Sequence, residues 1–226
     1  MCACIPSFPP CDCSKADDES GDGPAEFPDF EFLDRSAACA EGVPLPIEGA
    51  ECGYPEGPYG FEVGNVFENL ELFDCTGTPV QIAQYIPQAG LPDVETRGVV
   101  FGVGAAWCAP CAEEAKEWAA NFVDEYGAQG IQFIQAIDEG AVGAATMETC
   151  AGWSSTNAMD TFPILFTPDQ GALQLKIAGM AGTPIPYTLL FDANANITFK
   201  NTGGVVDSGI LTVQLDQLVN DPYGDF

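Results

Sequence analysis

Residues 97–114 read RGVVFGVGAAWCAPCAEE. The run through Trp107 is apolar and rich in Val and Phe, which suits a strand buried on both faces. Directly after it the periodicity turns helical. From Ala109 to about Tyr126, the residues Cys111, Ala115, Trp118, Ala119 and Phe122 fall on one stripe at helical spacing. Cys108 thus stands at a strand-to-helix junction, where unpaired N–H groups and the positive helix end favour an anion. That setting lowers a thiol pKa and makes the attacking thiolate available near neutral pH. Cys108 is the candidate nucleophile. Cys111, one turn into the helix, is the candidate resolving thiol that attacks a mixed disulfide and releases the partner.

Other readings of a CxxC pair are weaker here. A zinc site needs further ligands, and the chain has neither a second CxxC nor any histidine. A purely structural disulfide within one helical turn closes a very short loop and constrains little of the chain. Coincidence among ten cysteines remains as the third. The strand-to-helix setting favours redox chemistry.

Outward from this stretch the elements follow in order. VFENLELFD (66–74) alternates like a strand, Thr76-Gly77-Thr78-Pro79 makes a turn, and VQIAQYI (80–86) resumes as a strand end or short helix. Beyond the active stretch, IQFIQAID (131–138) is the next strand, residues 141–158 read as helical, and PILF (163–166) is a short strand. YTLLFD (187–192) and NITFKN (196–201) make a hairpin, and a last helix spans about 208–219. This order predicts an α/β sandwich around a mixed sheet.

Residues 1–58 are rich in Pro, Gly, Asp and Glu and show no sustained period, so they read as an irregular acidic arm, with residues 59–226 as the folded domain. Within the arm, FPDFEFLD (27–34) alternates enough for a short strand or a docked strip. Cys2, Cys4, Cys11 and Cys13 form C-x-C-x6-C-x-C, a spacing that suits two disulfides better than a four-thiolate metal site. Cys39, Cys52, Cys75 and Cys150 complete the set of expected structural cysteines. Cys39 with Cys52 would close a short loop, Cys150 also fits a buried core thiol, and connectivity is open.

Composition narrows the function classes. With 34 acidic and 6 basic residues, the formal charge of −28 repels nucleic acid and anionic membrane surfaces. The absence of histidine excludes Ser-His-Asp hydrolysis, imidazole proton shuttles and most catalytic zinc or copper centres. Ten cysteines, an even number, suit disulfides in an oxidising compartment, so a periplasmic or extracellular location is expected. The acidic, lysine-poor surface further suggests a salt-rich milieu, in which stability rises with salt. No apolar run reaches the roughly 20 residues of a transmembrane helix. A lipid anchor at Cys2 is the alternative route to a membrane.

Several spaced features together resemble the thioredoxin superfamily, specifically its TlpA/ResA-like extracytoplasmic thiol-disulfide oxidoreductases. The resemblance runs from about Tyr59 to Val219. GFEVGNVFENLELFDCTGTPVQI is similar to that family's entry segment, GVVFGVGAAWCAPCAEE to its active-site strand and helix, and TPIPYTLLFDANANITFK to its cis-proline stretch. The resemblance implies a thioredoxin-like three-layer sandwich without cofactor. It implies further that Pro186 is a cis-proline facing the cysteines, that Ile185 and Trp107 meet the substrate, and that Glu114 sits near the site. Glu114 there could exchange a proton with Cys111, or it could serve as one of the acidic residues that stabilise a helix start. Two departures stand out. Gly102 occupies the position where thioredoxins proper carry an acid, and Lys116 replaces a proline that often kinks the helix.

The expected function is an exported thiol-disulfide oxidoreductase acting on protein thiols or disulfides. One alternative is a structural or binding subunit assembled as a homo-oligomer through the arm. A peroxiredoxin-like peroxidase is the other, although it wants Thr or Ser where Ala105 stands, and an arginine near the cysteine where only Arg35 and Arg97 exist.

Overall fold

In the computed structural model, residues 54–86, 96–179 and 184–224 are described. The strip at 27–34, the cysteines at 2, 4, 11, 13, 39 and 52, the lipid anchor and the arm-mediated contact lie outside them. The centre of the fold is the apolar run quoted above, which forms β5 (Gly98–Ala105) and is buried at every position. It pairs in parallel with β6 (Ile131–Glu139) and antiparallel with β8 (Tyr187–Asp192). β7 (Ile164–Phe166) lies parallel beyond β6, followed by antiparallel β3 (Glu71–Asp74) and β4 (Pro79–Gln81); on the other side β9 (Ile197–Thr202) closes the hairpin with β8. The sheet order is therefore β4-β3-β7-β6-β5-β8-β9, mixed as the element order predicts.

Two cores follow from strand alternation. Val100, Phe133, Ile137 and Leu190 face α1 (Ala109–Asn121), α3 (Met147–Trp153) and α5 (Ser208–Asn220), where Trp118, Trp153, Leu211, Leu215 and Leu218 fill the interior. Val99, Phe101, Val103, Ile134, Leu189 and Phe191 face the other way. There they meet Phe67, whose ring stacks on Phe191 with centroids 4.5 Å apart, and Leu173 and Ile177 of α4 (Ala172–Ala178). Tyr54, ahead of Tyr59, already belongs to this second core; it is buried and donates a hydrogen bond to Phe67 O at 2.7 Å.

Four elements depart from the sequence reading. The single strand expected over 66–74 splits into β2 (Val66–Phe67), which pairs in parallel with β1 (Tyr59–Gly60), and β3. Between them the Asn69 amide takes over local bonding, donating to Gln81 Oε1 and accepting from Ala83 N, both at 2.9 Å. The helix expected over 109–126 breaks at Phe122 (φ −126°), and α2 (Val123–Gly127) restarts so that Phe122 and Tyr126 both stay buried. The helix expected from residue 141 starts only at Met147, because Gly140 and Gly143 close a turn first and Thr146 supplies the cap by accepting from Thr149 N. It then widens into a π-helical stretch, Ser154–Ala158, and ends on Met159 and Asp160 at left-handed φ of 50° and 55°. Finally, α4 was not expected at all.

Cys75, just past β3, is bonded to Cys150 on α3, with Cα atoms 5.1 Å apart. Cys150 is therefore buried as the core-thiol reading had it, but it is not a free thiol. Among the described residues no helix is long and apolar enough to cross a membrane, and no group of three His, Cys, Asp or Glu is placed to hold a metal ion.

Candidate redox site

The site is built at the carboxyl end of β5. A register shift between Gly104 and Ala105 breaks the alternation, so Ala105 joins Val100 on the α1 side. Ala106 N then bonds to Glu139 O at 2.9 Å, Cys108 N bonds back to Ala105 O at 3.0 Å, and α1 begins. Cys108 is the N-cap of α1, with extended backbone angles. Its Sγ accepts a hydrogen bond from Cys111 N at 3.2 Å, as the helix-terminus argument requires. Pro110 sits in the first turn, where no N–H is missed. The helix runs unbroken through Lys116, so the proline that is absent there leaves no kink.

Cys108 and Cys111 are joined as a disulfide with Cα atoms 5.3 Å apart. Cys111 is fully buried and Cys108 is 4% exposed, so Cys108 is the one sulfur-bearing residue of the pair that solvent reaches. This depth depends on two glycines. A Cβ on Gly104 would lie 2.9 Å from Cys111 Cβ, and one on Gly102 would lie 2.7 Å from the ring of Trp118. Their lack of side chains lets α1 settle onto the strand.

Across from the disulfide, the Ile185–Pro186 peptide bond is cis, and Ile185 O lies 4.0 Å from Cys108 Sγ. Ile185 is half-buried, whereas Trp107 is 57% exposed at the rim. The Trp107 indole is held there by donating to Glu139 Oε2 at 3.0 Å, while Gln174 Nε2 donates to Glu139 Oε1 at 2.9 Å.

Glu114 points inward and is 1% exposed. Thr188 Oγ1 donates to its Oε1 at 2.7 Å, and Oε2 closes no hydrogen bond of normal geometry. Burial pushes its carboxyl up to about 7; the Thr188 hydroxyl and the Val206 backbone oppose that, and Glu117 adds to it. Glu114 lies past the first turn of α1, which carries no acidic residue.

Thr188 and Gln135 are the polar residues that the sequence reading did not single out. Both pair with Gly102, Gln135 from β6 and Thr188 from β8, so a polar row crosses the α1 face of an otherwise apolar sheet. Gln135 is fully buried, its Oε1 accepts from Trp153 Nε1 at 3.4 Å, and its Nε2 has no partner. The available signal was an amide in mid-strand within IQFIQAID, where both faces are buried.

No family model matches this chain, and no curated protein does. Solved structures do. A solution structure provisionally described as a protein disulfide isomerase from Bacteroides thetaiotaomicron superposes with a TM-score of 0.53 at 14% identity, covering 71% of this chain and 89% of that one. A crystal structure provisionally described as a thiol:disulfide interchange protein DsbE from Chlorobium tepidum gives 0.52 at 18% identity, over 71% and 99%. The thioredoxin domain of a thiol-disulfide oxidoreductase from Bacteroides vulgatus gives 0.53 at 14% identity, over 70% and 99%. The fold is thioredoxin-like, a three-layer α/β sandwich.

Proposed function

We propose that this chain is a thiol-disulfide oxidoreductase that exchanges disulfides with protein partners through Cys108 and Cys111. The observation that carries this reading is the placement of the Cys108–Cys111 disulfide at the head of α1, opposite the cis Ile185–Pro186 bond and 4.0 Å from Ile185 O. In the reducing direction, the Cys108 thiolate attacks a partner disulfide, forming a mixed disulfide and expelling one partner thiolate. Cys111 passes its proton to Glu114, then attacks Cys108 Sγ; the Cys108–Cys111 bond forms and the second partner sulfur leaves as thiolate. The oxidising direction uses the same atoms in reverse order. The outward backbone of Ile185 offers hydrogen bonds to an extended partner segment, and Trp107 supplies an aromatic rim.

The long-range Cys75–Cys150 bond supports an oxidising compartment, periplasmic or extracellular. Among the described residues, the arginine that a peroxidase reading needs is not placed near Cys108. Arg97 precedes the far end of β5, about 25 Å of strand from Cys108 at ~3.3 Å per residue, and its guanidinium donates to Val219 O at 2.7 Å. Reduction of insulin disulfides, measured for the full chain and for Cys108→Ala, tests the proposal. Activity confined to the parent protein is expected, and equal activity in both would overturn it.

A further inference from the structure

Gln135 is a buried amide whose position asks for a partner. The indole N–H of Trp153 can only donate, so it fixes Oε1 of Gln135 toward α3 and leaves Nε2 pointing at β5 and α1. A Cβ added to Gly104 would lie 3.1 Å from Gln135 Nε2, 3.2 Å from Cys111 Sγ and 2.9 Å from Cys111 Cβ. Amide and sulfur therefore border the same gap, which exists because residue 104 is glycine. In the disulfide Cys111 Sγ is tied to Cys108, and Nε2 is left without an acceptor at full burial. An unpaired donor in such surroundings is costly, and a thiolate is an acceptor that would relieve it.

We propose that Gln135 is the hydrogen-bond donor that stabilises the Cys111 thiolate once the disulfide opens, so that this amide sets the pKa and the rate of the resolving thiol. The inference rests on the exchange chemistry proposed above. The step it assists is the attack of Cys111 Sγ on Cys108 Sγ of a mixed disulfide. The Cys108–Cys111 bond forms, the bond from Cys108 to the partner sulfur breaks, and the partner leaves as a thiolate that takes its proton from water. The ionisable groups that α1 brings here are the Cys108 thiol at its cap and Glu114, with Glu117 one turn on acting on Glu114; β5 contributes Gly102 and Gly104, β6 contributes Gln135, β8 contributes Thr188 and α3 contributes Trp153, none of which titrates in this range. Glu114 receives the proton, and Gln135 holds the charge left behind.

The test isolates Cys111 in the full-length chain. Ultraviolet thiolate absorbance is titrated in Cys108→Ala and in Cys108→Ala/Cys111→Ala, and the difference gives the Cys111 curve, with and without Gln135→Leu. The Cys111 midpoint is expected to rise by about one pH unit in the Leu variant, a tenfold change. A second readout is the release of glutathione from a Cys108–glutathione mixed disulfide near neutral pH. Release is expected to slow by about threefold, because the tenfold loss of thiolate is partly offset by the greater nucleophilicity of a more basic sulfur. Trp153→Phe, which frees the amide to rotate, should move both readouts the same way by less, and it stands in if Gln135→Leu does not fold. A folded Gln135→Leu with an unmoved Cys111 midpoint and unchanged release would overturn the proposal and leave Gln135 a packing residue. Failure of the exchange reading itself shows separately, as insulin reduction that survives Cys108→Ala.

Discussion

The two disulfides of the described fold share a bond type, similar Cα spacings of 5.1 and 5.3 Å, and burial of most of their atoms, yet their settings differ. Cys75–Cys150 spans 75 residues and ties a strand end to a helix, with both sulfurs against Ile164 O at 3.5 and 3.4 Å. Cys108–Cys111 spans three, at a helix N-terminus, beside a buried carboxyl and opposite the cis-proline. Loop-closure entropy assigns about 4 kcal/mol to the first and about 2 kcal/mol to the second. Burial alone does not distinguish the two bridges; loop length and neighbouring groups do.

The contrast is broken most forcefully by swapping its terms. Cys75→Ala/Cys150→Ala should lower unfolding free energy by about 4 kcal/mol in urea titrations under non-reducing conditions while insulin reduction persists. Cys108→Ala should abolish reduction and cost at most about half as much stability.

Next in size is Glu114, the buried carboxyl on the helix that carries Cys111. Its carboxyl titrates near 7 in the folded chain, against 4.5 as the ordinary value. Below about 4.5 both states hold the proton; between there and 7 the unfolded chain releases it first, so stability falls as pH rises, by about 3 kcal/mol at most. Glu114→Gln should remove that decline from melts run across the window. The same variant should slow exchange above neutral pH by on the order of a hundredfold, the low end for a positioned base.

Gly104→Ala sharpens the comparison locally. It presses a methyl on Cys111 Cβ and should destabilise by about 2 kcal/mol, with altered thiol reactivity and no change at Cys75–Cys150. The smallest effect lies in the segment leading away from Cys150: Met159, exposed at left-handed φ, should gain about 1 kcal/mol as Met159→Gly, read from the urea midpoint.

What the sequence made legible was local. β5 and α1 are readable because a buried strand and an amphipathic helix each carry their own period, and the junction between them places Cys108 without further information. The cis-proline loop was legible by resemblance. What escaped depends on partners distant in the chain. α4 is only seven residues long, and its first turn is held by the buried Asp138 carboxylate, which accepts from Leu173 N at 2.9 Å and Gln174 N at 3.0 Å. The pairing of Cys75 with Cys150 needs β3 to run beside β7, which no spacing reveals. Gln135 and Thr188 become a polar row only when β6 and β8 are laid on either side of Gly102.

The order of the strands also bears on how the molecule behaves in company. A seven-stranded sheet ends in two edges that could template pairing with another chain. One edge, β4, is three residues long, opens with Pro79 and gives way at once to a 3-10 turn at Ile82–Tyr85. At the other edge the start of β9 is capped by the chain's own backbone, Gly64 N to Ile197 O and Ile197 N to Asn65 O, both 2.8 Å, and further along Lys200 bonds to Glu62 at 2.7 Å. Among the described residues, edge-to-edge growth of this sheet is therefore obstructed along β4 and at the start of β9, so the folded core should resist cross-β pairing there.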